Sequence, residues 1–225
     1  ADWTRSRMAV ERLTERGRLR PLLEAERLWA AYALADLQSG FFEECAWYRS
    51  GSALAMIYSG FRPPILFTLG PANDLRDILL DTTDTLKQAY LSIKPEHLDA
   101  LTGLLDVPRP QPMWRMALNP ALFPPRPMPE VARLGPEAME EIYALFDGQP
   151  DAPDAFAPEQ LERGVFFGVR SEGRLDAVAG THIVAVEESV AAVGNVFVRA
   201  ERRGSGLGKQ VTWAVTDALL QAGIR

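Results

Sequence analysis

Apolar positions along the chain change period several times, and each change marks an element. From Pro21 to Leu37 the residues Leu22, Ala25, Leu28, Trp29, Tyr32, Ala33 and Leu37 keep three- and four-residue spacing, which predicts a helix opened by proline and stopped at Gly40. The stretch before it, Trp3 to Arg18, alternates charge with scattered apolar residues and reads as a surface helix or an arm. Three β-rich runs follow, Phe41 to Arg49, Ala53 to Tyr58 and Ile65 to Leu69, separated by Ser50-Gly51-Ser52 and by the proline-rich Gly60 to Pro64. After Gly70-Pro71 the pattern predicts a helix over Asn73 to Leu80 capped by Asn73, a strand at Ala89 to Ile93, a helix at Glu96 to Leu104 and a strand at Met113 to Leu118. Trp29, Trp47 and Tyr48 read as core residues, His97 as a surface residue, and Asp77, Asp81 and Asp84 as a solvated helix face and turn.

Eight prolines between Val107 and Pro129 interrupt this pattern. Proline removes ladder donors and favours extended chain, so this stretch is a connector, and it divides residues 1–120 from residues 121–225. Beyond it the periods resume. Val131 to Leu134 reads as a strand, Pro136 to Phe146 as a helix with Met139, Ile142, Tyr143 and Phe146 on one side, and Pro158 to Arg163 as a shorter helix. Val165 to Val169 and Leu175 to Val186 are strands joined by a hairpin signal at Ser171-Glu172-Gly173. Glu187-Glu188-Ser189 turns the chain into a further strand containing Val193, Val196, Phe197 and Val198.

A basic, glycine-rich turn then runs from Arg202 through Arg203, Gly204, Ser205, Gly206, Leu207 and Gly208 to Lys209, and leads into a helix marked by Leu207, Val211, Val215, Ala218, Leu219 and Ala222. The first turn of a helix carries backbone N–H groups without helical partners and partial positive charge, which suits an anion such as a pyrophosphate. Two familiar phosphate loops do not fit. A P-loop requires glycine where Arg203 stands and a hydroxyl where Gln210 stands, and a dinucleotide fingerprint requires a third glycine where Lys209 or Val211 stands.

What fits is Arg-x-x-Gly-x-Gly, as Arg203, Gly206 and Gly208, between a strand and a helix. This resembles the acyl-CoA-binding motif of the GNAT superfamily of N-acyltransferases, and the string from Gly194 to Gly208 resembles its glycine-N-acyltransferase-like branch. The resemblance implies an α/β (α+β) fold: a GNAT-like mixed central sheet flanked by helices. It further implies that backbone around Phe197 and Val198 pairs with the pantetheine arm of acetyl-CoA, while amides from Arg203 through Gly204, Ser205, Gly206, Leu207 and Gly208 to Lys209 wrap the pyrophosphate. Val198, Arg199, Ala200 and Arg202 stand where that branch carries a Thr-His-Pro-type tripeptide and an aromatic, and Ala192 stands near the place of a glutamate that some members use in catalysis.

The order of elements in the first half resembles the same layout in a degenerate copy, with Leu69 to Asn73 as a loop that has one glycine and no basic residue. Two tandem domains are therefore expected, the first not binding CoA. The second stops at Arg225, directly after the loop helix, where the superfamily continues with further strands. Either the chain is cut short or a second copy completes the sheet in a homodimer.

Pairing back from a turn centred on Glu188-Ser189 sets Glu187 opposite Val190, Ala185 opposite Ala192 and His182 opposite Asn195. His182 and Asn195 would then share a face beside the acyl group, with the imidazole as base; a buried histidine satisfied by an asparagine is the other reading. The net charge of −6 over 225 residues argues against nucleic acid as a partner, and no apolar run is long enough for a membrane span. The single cysteine, Cys45, excludes an internal disulfide and a cysteine-rich metal site, and no metal is expected. These features point to a cytoplasmic protein, and the GNAT resemblance implies an N-acetyltransferase acting on a primary amine of a small molecule or peptide. A CoA-binding sensor without chemistry is the alternative from another class, and a phosphate-loop hydrolase is disfavoured by the absent magnesium ligands.

Overall fold

The computed structural model describes residues 6–83, 86–107, 110–123, 130–153 and 156–224. The chain divides into two compact units, residues 1–116 and 117–225.

In the first unit, strands β1 (Glu11–Leu13), β2 (Cys45–Ser50), β3 (Ala53–Tyr58), β4 (Ile65–Leu69) and β5 (Tyr90–Ser92) lie in that order. All neighbours are antiparallel except β4 and β5, which run parallel. Parallel neighbours need a crossover, and α3 (Ala72–Thr82) supplies it. Its Leu75, Ile78 and Leu79 pack on Ala53, Ala55, Ile57 and Leu66 of the sheet. Helices α1 (Arg16–Glu24), α2 (Ala31–Ala35) and α4 (Leu98–Leu101) complete the unit.

Several local expectations change here. Within the Trp3 to Arg18 stretch, the described residues include a strand, β1, paired with Trp47 to Arg49. The helix expected from Pro21 to Leu37 is two short ones, α1 and α2; Pro21 lies inside α1 and Leu28, between them, is 69% exposed. Pro71, not Asn73, is the N-cap of α3. No strand forms at residues 113–118, where Met113, Trp114 and Met116 find no apolar surface and are at least 90% exposed. His97 is buried rather than on the surface, its Nδ1 2.8 Å from Thr68 Oγ1. Asp77 is also buried and accepts a hydrogen bond from the Met8 amide at 3.0 Å, while Asp84 lies outside the described residues. Both polar side chains are stabilised inside by partners far away in sequence, which a local pattern does not register.

Asp36, which follows α2, has its carboxyl pushed up to about 7 by burial. Part of the side chain still reaches the surface, so the energetic consequence is smaller than full burial would give. A carboxyl raised from its unfolded value of about 3.9 stabilises the fold below that value and loses the contribution as pH rises through 7. Asp36→Asn should therefore stabilise the chain by about 1–2 kcal/mol more at pH 8 than at pH 5 in urea unfolding. A pH-independent difference would refute this account.

In the second unit, β6 (Ala132–Leu134), β7 (Phe166–Ser171), β8 (Arg174–Ala185) and β9 (Val190–Val198) form an antiparallel sheet in that order. Helix α7 (Leu207–Gln221) covers one face with Leu207, Val211, Val215 and Leu219 against Val169, Ala177 and Ala179. Helices α5 (Met139–Phe146) and α6 (Pro158–Arg163) cover the other with Ile142, Leu145 and Leu161, joined by Ala138 at the N-cap of α5, against Leu134, Phe166, Val178 and Phe197. Period 2 is visible at Phe166 and Phe167, whose rings go to opposite faces. On α5 the inward side is Ile142 and Leu145, and Tyr143, expected inside, is 42% exposed. The β7–β8 hairpin has the expected tight turn, with Ser171 opposite Arg174 and positive φ at both Glu172 and Gly173.

The β8–β9 register differs from the expected one by two residues. Val190 pairs with Ala185 and Ala192 with Ile183, so the turn is the four residues 186–189, closed by the Ser189 amide on Val186 O at 3.0 Å. Glu188 is buried instead of standing at an exposed tip. Two bulges follow. His182 is the extra residue of β8 between the Thr181–Val193 and Ile183–Ala192 pairs, and β9 inserts one around Asn195 and Val196, opposite Ala179. His182 and Asn195 are thus not a directly opposed pair.

Candidate active site

The glycine turn sits between β9 and α7. A 3-10 turn, Ala200–Arg202, ends β9, and the chain then passes Gly204 at φ +78° and Gly206 at φ +85°. These left-handed positions are where glycine is required. Gly206 is the N-cap of α7 with no side chain capping the helix, and the first helical bond runs from the Gln210 amide to Gly206 O at 3.1 Å. The amides of Leu207, Gly208 and Lys209 therefore precede the helical ladder at the positive end of a 15-residue helix. A Cβ added at Gly204 or Gly206 would meet nothing within 4 Å beyond its chain neighbours, and residues 203–206 are exposed, so the turn opens outward. At Gly208 a Cβ would come to 3.3 Å from Val198 Cγ2, so this glycine lets the helix start lie against the end of β9. An uncapped, open helix start of this kind fits a diphosphate.

The basic residues behave differently from one another. Lys209 is exposed on the first turn of α7. Arg203 turns back: its Nε donates to Val198 O at 3.0 Å, its guanidinium pairs with Asp151 at 2.8 Å and it lies 5.3 Å from the Phe197 ring. Its amide donates to Ala200 O at 3.3 Å, so Arg203 braces the turn from behind. Ser205 Oγ donates to Arg202 O at 2.6 Å and tightens the same bend. Leu207 is buried and anchors the helix start, Val198 packs toward α7, and the Phe197 ring lies in the core, 5.5 Å from Phe146.

Beneath the turn is a residue that the pattern of apolar positions did not single out. Asp176, on β8, is completely buried and receives the Ser171 hydroxyl. Arg202 Nε lies 3.4 Å, Arg199 Nε 3.6 Å and Arg174 Nε 3.8 Å from its carboxylate. Arg199 also donates from its amide to Asp176 O and from its guanidinium to Leu175 O, both at 2.9 Å. The one signal in the sequence is an acid inside the apolar run from Leu175 to Val178.

The two bulges bring His182 and Asn195 side by side even though their register positions differ. Asn195 adopts φ +50° and donates from Nδ2 to Gln160 Oε1 at 3.0 Å, and the same oxygen accepts the Ala157 amide at 3.2 Å. Burial lowers the His182 pKa, and the Asn195 side chain opposes that drop by contact with the ring. Asn195 Oδ1 falls short of aligned hydrogen-bond geometry, so this contact is the weaker influence. Gly194 is the neighbour that makes room: a Cβ there would sit 2.2 Å from His182 Nε2. Ala192, opposite Ile183, places no carboxylate on β9. Among the described residues no group of three metal-ligating side chains comes together, and no helix is long and apolar enough to cross a membrane.

Comparison with known proteins agrees with this construction. No curated protein matches the chain. A crystal structure assigned to the GNAT acetyltransferase family, from Novosphingobium aromaticivorans DSM 12444, is 29% identical over 45% of this chain and 44% of that one, at a TM-score of 0.40. This chain thus matches less than half the length of that protein. A GCN5-related N-acetyltransferase from Kribbella flavida is 18% identical over 87% of this chain and 82% of that one, at a TM-score of 0.55, and shows likeness of fold. The model of the acetyltransferase (GNAT) family matches residues 136–225, the stretch that holds α5, the β7 to β9 sheet, the glycine turn and α7. Residues 136–225 are accordingly similar to the acetyltransferase (GNAT) family over the stretch that carries the glycine turn.

Proposed function

We propose that the chain transfers an acetyl group from acetyl-CoA to a primary amine of a small molecule or peptide. The observation that carries this reading is the open, uncapped start of α7 at Gly206, which presents amides to a diphosphate. The acyl-CoA is a substrate that this loop holds. The amine nitrogen attacks the thioester carbonyl carbon, the C–N bond forms as the C–S bond breaks, and CoA leaves as the thiol once it has taken up a proton. Holding both reactants in one complex supplies much of the acceleration. His182, kept neutral by burial, removes the proton from the arriving ammonium, and Asn195 orients its ring.

Two finer assignments belong to this reading. The string from Gly194 to Gly208 supports the glycine-N-acyltransferase-like branch. The first unit, with antiparallel β2 to β4, a single-glycine turn at Gly70, then α3 and the parallel β5, supports a degenerate copy of the layout. There Trp29 Nε1 donates to Thr68 O at 2.9 Å, where β4 and β5 diverge, so a side chain already takes that strand carbonyl.

Calorimetric titration with acetyl-CoA tests the donor, and thiol release with a panel of amines tests the transfer. Absent binding would overturn the proposal. Binding without thiol release would favour the CoA sensor, a second reading supported by Ala192, which stands where some superfamily members carry a catalytic glutamate. Gly194→Ala isolates the role of His182 by pushing its ring off the strand. We expect turnover to fall about tenfold or more while acetyl-CoA affinity stays within about twofold, because the added methyl overlaps the imidazole and not the loop. Equal losses in both would assign the histidine to the fold alone.

A further inference from the structure

The acetyl-transfer reading leaves the acceptor open, and a groove on the second unit bears on it. It measures about 720 Å³ and is formed by the outward side of α5 and the chain that follows. Glu140, Tyr143, Ala144 and Asp147 recur at helical spacing along that side, opposite the inward Ile142 and Leu145. Phe146 and Phe156 line it, their rings edge to face at 5.7 Å, and Tyr143 packs on Phe156 at 5.6 Å. The lining therefore holds three aromatic rings and two carboxylates, with no cation among the described residues. Arginines on neighbouring segments are already paired, Arg203 with Asp151 and Arg170 with Glu141.

The groove also adjoins the donor site. Phe146 packs on Phe197 of β9 at 5.5 Å, and Arg203, at the start of the glycine turn, covers the other side of the contact, 5.3 Å from the Phe197 ring. A molecule seated on Phe146 is one side chain away from the strand assigned to the pantetheine arm.

We propose that this groove takes a dicationic amine, one ammonium held by Glu140 and Asp147 and the other nitrogen acetylated. Carboxylates attract the first charge, aromatic faces accept ammonium and methylene groups alike, and an acceptor bearing a carboxylate is repelled. A carboxylate beside the reacting nitrogen would hold it protonated, so the charge that Glu140 and Asp147 recognise is the remote one. This inference rests on the acetyl-transfer reading for its chemistry but not for its binding.

The experiment measures binding to the full chain by ligand-observed NMR for 1,5-diaminopentane, pentylamine and 6-aminohexanoate, with acetyl-CoA titrated in parallel. The diamine should bind about tenfold or more tightly than pentylamine, and 6-aminohexanoate most weakly. The double substitution Glu140→Gln and Asp147→Asn, both at exposed positions, should abolish the diamine preference and leave acetyl-CoA affinity unchanged. Equal binding of the three, or preference for 6-aminohexanoate, overturns the groove assignment even if acetyl-CoA binds. Diamine preference without acetyl-CoA binding upholds the groove and overturns the transfer reading instead.

Discussion

Gly206→Trp should weaken acetyl-CoA binding by roughly a hundredfold or more, the largest ligand effect expected of any single substitution here. Gly206 holds φ +85° at the N-cap of α7, and open space surrounds the position where a Cβ would go. Any side chain there strains the backbone by about 1–2 kcal/mol, and an indole would also stand in front of the amides proposed to hold the diphosphate. Each charge-assisted hydrogen bond to a phosphate oxygen is worth about 1.5–3 kcal/mol, so losing two of them gives a hundredfold to ten-thousandfold weaker complex. The fold should survive, because Leu207, Val211, Val215 and Leu219 still bury α7 against the sheet. Calorimetry together with unfolding midpoints separates the two quantities. Unchanged affinity in a folded variant would mean that the diphosphate is bound elsewhere.

The site is legible in the sequence to very different degrees at its different parts. Strand, glycine turn and helix follow from local pattern, because β-branched runs, left-handed glycines and a 3.6-residue apolar stripe are all short-range properties. The β7–β8 turn was readable for the same reason, since Glu172-Gly173 meets the positive-φ requirement of a two-residue hairpin. What happens to Arg203 was not readable. Its pattern match suggests a charge facing the phosphates, while its partner Asp151 lies 52 residues earlier in the chain, so the pairing is a tertiary fact. The neighbourhood of His182 and Asn195 was expected on incorrect grounds. A two-residue turn at Glu188-Ser189 would oppose the two residues directly, whereas the four-residue turn shifts the register and two bulges fall at His182 and around Asn195. Bulges carry no strong sequence signature beyond a residue tolerant of positive φ, and Asn195 is one such residue.

The first unit shows the same division from the opposite side. Its strands and the α3 crossover emerge from periodicity, yet the single long helix expected from Pro21 onward breaks after Glu24. Proline inside α1 leaves one helical bond unmade, and the α2 side chains Ala33, Leu34 and Ala35 are buried by the unit's own packing. Apolar spacing alone measures the preference for a buried stripe and not the direction in which the chain must travel to bury it.

Asp176→Ala should have the largest effect on stability, about 2–4 kcal/mol in urea unfolding. The carboxylate is fully buried, and truncating it removes the bond from the Ser171 hydroxyl and leaves Arg174, Arg199 and Arg202 without the negative charge they surround. Loss of one member of a buried pair costs about 3–5 kcal/mol, and the partial exposure of these guanidinium groups brings the figure down. Asp176→Asn keeps the shape and an acceptor for Ser171 but removes the charge, so its cost should fall between wild type and Ala. A cost for Asn equal to that for Ala would assign the whole effect to charge, and a wild-type midpoint for Ala would deny Asp176 any part in the fold. The position links stability to function, because Arg199 and Arg202 bracket the 3-10 turn from which the glycine loop departs. Without the carboxylate, Arg202 loses its counter-charge and the turn is held at this side by the bonds of Arg199 to the Asp176 and Leu175 carbonyls alone. Acetyl-CoA binding should then weaken along with stability, whereas Gly206→Trp weakens binding and leaves stability within about 2 kcal/mol of wild type. The contrast between the two variants distinguishes a loop organised from beneath by a buried carboxylate from one held by its glycines alone.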